Sequence, residues 1–247
     1  MMLFESPPQS RYDLNFSIAG IPVRVHPLFW VIALIFGLSG GVLGMLVWVV
    51  VLFVSLLVHE LGHALTMRYF GLDASIVLYA GGGLAQREAV RFGSRSFGVA
   101  LKPAQDVAIS LAGPFAGFAL ALLVVIGVIA AGGTVTPPSS LLNPAPDAIL
   151  PFGIGILDSV VNALLWANIF WGLVNLAPVM PLDGGQVAQR LWSWSDPVGG
   201  ARRAMWLSVI AGAIMAVAGL LLWRSTYMAV LFGLLAFQSY QAMRMRY

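Results

Sequence analysis

The chain has no cysteine, only three histidines, and charged residues at just 9% of its 247 positions. Without cysteine there is no disulfide framework and no thiolate metal site, which leaves histidine, aspartate and glutamate as the strong ligands. A soluble domain carries roughly 25% charged residues, so the scarcity here excludes the ordinary soluble classes. The stretch from Met1 to Leu14 is mixed polar and has no apolar centre of the kind that marks a cleavable signal peptide. Insertion is therefore expected to be directed by internal helices. What fills the chain is apolar: 60% hydrophobic residues and a mean hydropathy of +0.90. The expected class is an all-α polytopic membrane protein in a lipid bilayer, with short extended membrane-associated segments. An isoelectric point near 9.6 does not indicate nucleic acid, because the basic residues are spread between apolar runs, a pattern that topology explains.

Allowing about 20 residues per crossing, about six spans are expected, at 28–38, 44–65, 107–131, 153–176, 205–223 and 227–242, within one transmembrane domain over 1–247. The first is short, bounded by Pro27 and by Gly40-Gly41. If all six cross with both termini cytoplasmic, twelve of the thirteen basic residues lie inside, Arg91 and Arg95 among them, and Arg224 alone lies outside. That agreement with the positive-inside rule supports an integral multi-pass cell membrane protein with cytoplasmic termini. Residues 13–26 read as two short extended pieces around a Gly20-Ile21-Pro22 turn. Ile76 to Ala80 is β-prone and precedes Gly81-Gly82-Gly83, so residues 76–85 are expected to offer a strand edge that a peptide could extend. The Pro-, Gly- and Ser-rich stretch 132–151 reads as an external, irregular connector.

Within the second apolar run stands His59-Glu60-Leu61-Gly62-His63. Ionisable groups are expensive there and mark function unless a partner compensates them. Helical spacing places His59 and His63 one turn apart on one face, so both imidazoles can reach a single zinc ion with Glu60 beside it. This is the HExxH pattern, whose glutamate serves as a base.

A catalytic zinc ordinarily has three protein ligands. The candidates for the third are His26, Asp73, Asp106, Asp147, Asp158, Asp183 and Asp196. Asp183 is favoured by its setting, Asn175-Leu176-Ala177-Pro178-Val179-Met180-Pro181-Leu182-Asp183-Gly184-Gly185. Pro178 and Pro181 end the fourth span, and broken backbone at membrane depth is tolerated only where protein buries it or a wet cavity receives it. A helix is expected to resume at 186–194. Asp106 and Asp158 read as residues near span starts, and His26, before Pro27, as locally hydrogen-bonded. Asn162, Asn168 and Asn175 fall on the fourth span, where amides usually bond between helices. Asn175, one turn before the break, is placed to hold a substrate carbonyl or an oxyanion.

With these two motifs the chain resembles the site-2 protease family of intramembrane zinc metalloproteases, which pairs HExxH with NxxPxxPLDG. Ser110-Leu111-Ala112-Gly113-Pro114 and Val25-His26-Pro27 resemble family elements too, and the likeness runs from about Val25 to Leu191. Read without the family, Gly113 and Gly117 form a small face for close helix packing. The resemblance implies that His59, His63 and Asp183 bind Zn2+, that Glu60 is the general base, and that Asn175 contacts substrate. It implies cleavage of a peptide bond in or next to a transmembrane helix of a membrane protein substrate, with zinc-bound water as nucleophile, often in a signalling cascade. The expected form is a minimal one, with no room for a PDZ domain between the motifs and no CBS domain after the last span.

Two rival readings use the same ligands. A metal-ion transporter would bind the cation in transit, but it has no need of a carboxylate beside a ligand, as Glu60 is. A non-catalytic membrane scaffold would keep the fold without turnover.

Overall fold

A computed structural model describes residues 7–88, 100–140 and 142–246. Arg91 and Arg95, part of the charge argument, lie outside the described residues. The chain forms two compact units, one of Met1–Ala100 with Ala112–Gly172, the other of Leu101–Leu111 with Leu173–Tyr247.

In the first unit, β1 (Leu14–Ile18) and β2 (Ile21–Val25) are antiparallel. The loop joining them is Ala19-Gly20, with φ of 50° and 75°. Two positive φ values suit the twist of a tight hairpin, so the turn falls ahead of the expected Gly20-Ile21-Pro22, and Ile21 and Pro22 belong to β2. Ile21, Val23 and Val25 alternate inward and are buried. After β2 the chain makes α1 (Pro27–Phe36), a 3-10 turn (Leu38–Gly40) and α2 (Gly41–Tyr69), then returns as β3 (Ala74–Tyr79), parallel to β2. β4 (Gly82–Arg87) pairs antiparallel with β3, giving the order β1-β2-β3-β4.

This sheet corrects the all-α expectation. Its central strands are rich in β-branched residues, Val23, Val25, Ile76 and Val77, which pack well on a pleated surface. It also moves the expected edge. β3 is covered on both sides, so the outer edge expected from residue 76 onward belongs to β4 alone. Glu88 donates its amide to the Asp73 carbonyl at 3.0 Å. By strand alternation the amides of Gln86 and Leu84 also face β3, while those of Arg87, Ala85 and Gly83 face outward.

Among the described residues four helices are long and apolar enough to cross a membrane: Leu38–Tyr69, Pro103–Ala130, Gly155–Asn175 and Gly200–Leu221. The expected six are not all of that kind. The first apolar segment forms only the ten residues of α1, about 15 Å of helix. It starts at Pro27, whose missing amide suits a first turn, and stops at Gly37. An added Cβ at Gly37 would stand 2.4 Å from the Gly44 carbonyl oxygen, so the backbones of this helical hairpin touch. The last segment is 21 residues long, but Gln238, Ser239, Gln241 and Arg244 make its second half polar.

Most of α3 (Pro103–Ala130) and α4 (Gly155–Asn175) completes this unit. Asn168 of α4 donates to Ser55 Oγ of α2 at 2.9 Å, an interhelical bond of the expected kind. Asn162 behaves otherwise. Its amide accepts from Ala148 N and donates to Ala148 O, both at 2.8 Å, like a further strand beside β6. Asp158 accepts from Leu150 N at 2.8 Å. The stretch expected to be irregular is thus an antiparallel pair, β5 (Thr134–Thr136) with β6 (Asp147–Ile149), pinned to α4.

The second unit holds α5 (Asp183–Ser195), α6 (Gly200–Leu221) and α7 (Thr226–Arg246). Gly212 and Gly219 let α6 approach α7 closely, since an added Cβ would stand 3.0 Å from Ala236 Cβ and 2.9 Å from Met228 Cβ. Phe232 and Leu235 of α7 are fully buried. Asp196 accepts from Gly199 N at 2.9 Å and meets Arg203 at 3.5 Å, joining α5 to α6.

Candidate metal centre

α2 presents His59, Glu60 and His63 from its last turns. His59 is half-buried, whereas Glu60 and His63 are buried. The two imidazoles turn toward one point, with Nε2 atoms 3.2 Å apart. Two nitrogens bound to a tetrahedral zinc at 2.0–2.1 Å would be about 3.3 Å apart. The pair is therefore spaced as two ligands of one ion.

Gly113 of α3 lies against both rings. A Cβ there would stand 2.2 Å from His63 Nε2 and 2.8 Å from His59 Nε2. Gly62 is similar, since its Cβ would meet the Ala112 carbonyl oxygen at 2.4 Å. Ala112 and Gly113 thus pack the backbone of α3 onto the HExxH turn. Gly117 instead faces Asn168, with 3.4 Å from an added Cβ to Oδ1.

Glu60 points toward the sheet. Its Oε2 accepts from Ala85 N, one of the outward amides of β4, at 2.6 Å. An added Cβ at Gly83 would stand 2.3 Å from Glu60 Oε1. Glycine at 83 is required for this approach, which residue types alone gave no means of seeing.

Asp183 begins α5, where a carboxylate suits the positive end of a helix. It is buried, as are Gly184 and Gly185. An added Cβ at Gly184 would stand 2.1 Å from the Leu176 carbonyl oxygen, and one at Gly185 would stand 2.5 Å from the Val179 carbonyl carbon. The first turn of α5 therefore sits directly on the preceding loop. Asn175 is the last residue of α4 and half-buried.

His59, His63 and Asp183 each offer one ligand atom, and these atoms all lie within 4.8 Å of one another. Two imidazole nitrogens and a carboxylate oxygen are the donor types of a zinc site without cysteine. Four of the other candidates are engaged elsewhere. His26 caps α1, its Nδ1 accepting from Leu28 N at 3.3 Å. Asp158 and Asp196 bond to loop amides, and Asp106 lies 3.9 Å from Arg190.

The sequence model of peptidase family M50 matches residues 47–218. This chain belongs to peptidase family M50. Its M50 relatives include a provisionally named zinc metalloprotease, sll0528, of Synechocystis sp., 31% identical over 71% of this chain and 42% of that protein. The provisionally named zinc metalloprotease Rip3 of Mycobacterium tuberculosis is 31% identical over 72% of this chain and 42% of its own length. Zinc metalloprotease MJ0392 of Methanocaldococcus jannaschii is 26% identical over 72% of this chain and 44% of its own. The M50 chain thus spans less than half the length of these relatives. Its fold resembles the site-2 protease from Methanocaldococcus jannaschii, with a TM-score of 0.54 and 22% identity over 95% of this chain and 94% of that one. Together with the four apolar helices, membership of M50 makes the chain an integral membrane protein.

Proposed function

We propose that this chain is an intramembrane zinc metalloprotease that hydrolyses a peptide bond in or next to a transmembrane helix of a membrane protein substrate. The observation that carries this reading is the clustering of His59, His63 and Asp183 within 4.8 Å, with Glu60 one residue from a ligand. Zinc held by these three residues would supply a Lewis acid and lower the pKa of water to about 7. Glu60 takes the proton from the attacking water and returns it to the leaving amine. Asn175 holds the substrate carbonyl as charge develops on its oxygen.

A helical substrate has its carbonyls engaged, so it must be extended before attack. The outer edge of β4 suits that purpose by strand addition, with the Ala85 amide passing from Glu60 to a substrate carbonyl. The Ala85 amide lies at the base itself, which supports cleavage of a peptide laid along this edge. We take all six apolar helices as crossing and put both termini on the cytoplasmic side, in keeping with the distribution of basic residues.

The test is Glu60→Gln, measured for zinc content and for cleavage of a reconstituted membrane substrate. The expected result is about one zinc per chain, as three protein ligands imply, with cleavage lost. A metal-ion transporter would keep moving the ion in this variant, and a scaffold would show no cleavage even in the wild type.

A further inference from the structure

Ser208 in α6 and Ser239 in α7 are buried at 1% and 3% exposure. A serine in an apolar helix commonly bonds the carbonyl four residues back. Ser239 does so, donating to Leu235 O at 2.9 Å. Ser208 does not use its proton this way. Its Oγ lies 2.7 Å from Ser239 Oγ and accepts from the backbone amide of Met180, also at 2.7 Å.

Each hydroxyl has one proton to give. That of Ser239 is committed to Leu235 O, so Ser208 donates to Ser239 and receives from Met180. The direction of the chain is thereby set: Met180 N–H to Ser208, Ser208 to Ser239, Ser239 to Leu235. It ties the loop between α4 and α5 to both helices of the C-terminal hairpin.

Met180 stands three residues before Asp183, and little slack separates them. Leu182 N donates to Val179 O at 2.8 Å, and Gln186 Nε2 to Pro181 O at 3.2 Å. Gly184 and Gly185 keep the first turn of α5 in backbone contact with 176–180. A shift of the Met180 amide is passed to the start of α5 through main chain rather than through pliable side chains.

We propose that Ser208, supported by Ser239, is a positioning residue for the Asp183 carboxylate, so that the α6–α7 hairpin governs how firmly the site holds its metal. The metal part of this proposal rests on the zinc reading above. The positioning part concerns the loop alone and is measurable without metal.

The experiment compares wild type, Ser208→Ala and Ser239→Ala in the full chain, by hydrogen exchange of the 176–186 segment without metal and by the rate of zinc loss to a chelator. In Ser208→Ala the half-buried Met180 amide is left without its acceptor, and exchange of this segment should rise about ten-fold while α6 and α7 keep wild-type protection. Zinc loss should quicken by a similar factor. Ser239→Ala should show the same changes to a smaller degree, because Ser208 still accepts from Met180.

Wild-type exchange and wild-type zinc loss in Ser208→Ala would overturn the proposal. If Ser208→Ala does not fold, unchanged exchange and zinc loss in Ser239→Ala would overturn it. Absence of zinc from the wild type would instead overturn the zinc reading, leaving the exchange result to decide the role of Ser208.

Discussion

At position 113 an added methyl group would lie 2.2 Å from one imidazole nitrogen and 2.8 Å from the other. Neither ring can withdraw far, because both belong to one face of a packed helix. Gly113→Ala should therefore lower zinc content several-fold while helical content, read by circular dichroism, stays unchanged. Retention of full zinc would mean that α3 yields at this point. The pairing of His59 with His63 was legible in the sequence, since helical spacing alone puts them on one face. The role of Gly113 was not. Small residues in a span signal close packing, but nothing in a one-dimensional string says which helix approaches or which of its side chains it meets. Glu60 was legible as the carboxylate beside the two histidines, yet its bond to Ala85 N depends on a strand edge 25 residues onward in the chain.

Among the elements, the sheet makes the sharpest predictions. By alternation the Arg87 amide faces outward and takes no part in the β3–β4 ladder. Arg87→Pro should leave that ladder and the zinc content intact while slowing cleavage of a membrane substrate several-fold, measured with wild type in parallel. Unchanged cleavage would remove β4 as the platform for substrate. At the other edge, the Ser10 amide, 3.1 Å from the Asp13 carboxylate, and Arg24, 3.0 Å away, hold the Asp13 pKa below its ordinary value. A depressed carboxylate stabilises the fold above its unfolded pKa, about 3.9, and the contribution is lost as pH falls through the lower folded value. Asp13→Asn should accordingly raise hydrogen exchange in β1 and β2 at neutral pH, and the difference from wild type should close below about pH 4. The extended character of residues 13–26 was readable from their composition. The parallel pairing of β2 with β3 was not, because it joins segments separated by two helices.

For the molecule as a membrane protein, hydropathy located each apolar helix to within a few residues, and two of them fall short of the other four in length or apolar character. Residues 28–38 read as a short crossing because their apolar character is continuous, and 227–242 because its first half outweighs the polar second. Length and the placement of glutamine and serine set these two apart from the other four. The break between α4 and α5 was visible in its two prolines, whereas nothing in the string pairs Ser208 with Met180 or with Ser239.

The shortness of α1 has a consequence for the supply of water. From the glycine hairpin at Gly37 and Gly44, α1 reaches about 15 Å along α2, whereas Glu60 stands about 28 Å from the start of α2 at 1.5 Å per residue. Beyond the reach of α1, the flank of α2 is lined by strand, as the bond from Ala85 to Glu60 demonstrates. Strand backbone with an open side is not sustained against hydrocarbon. The flank beyond the truncated helix is therefore expected to be wet, and under the proposed function it would be the route by which solvent reaches Glu60.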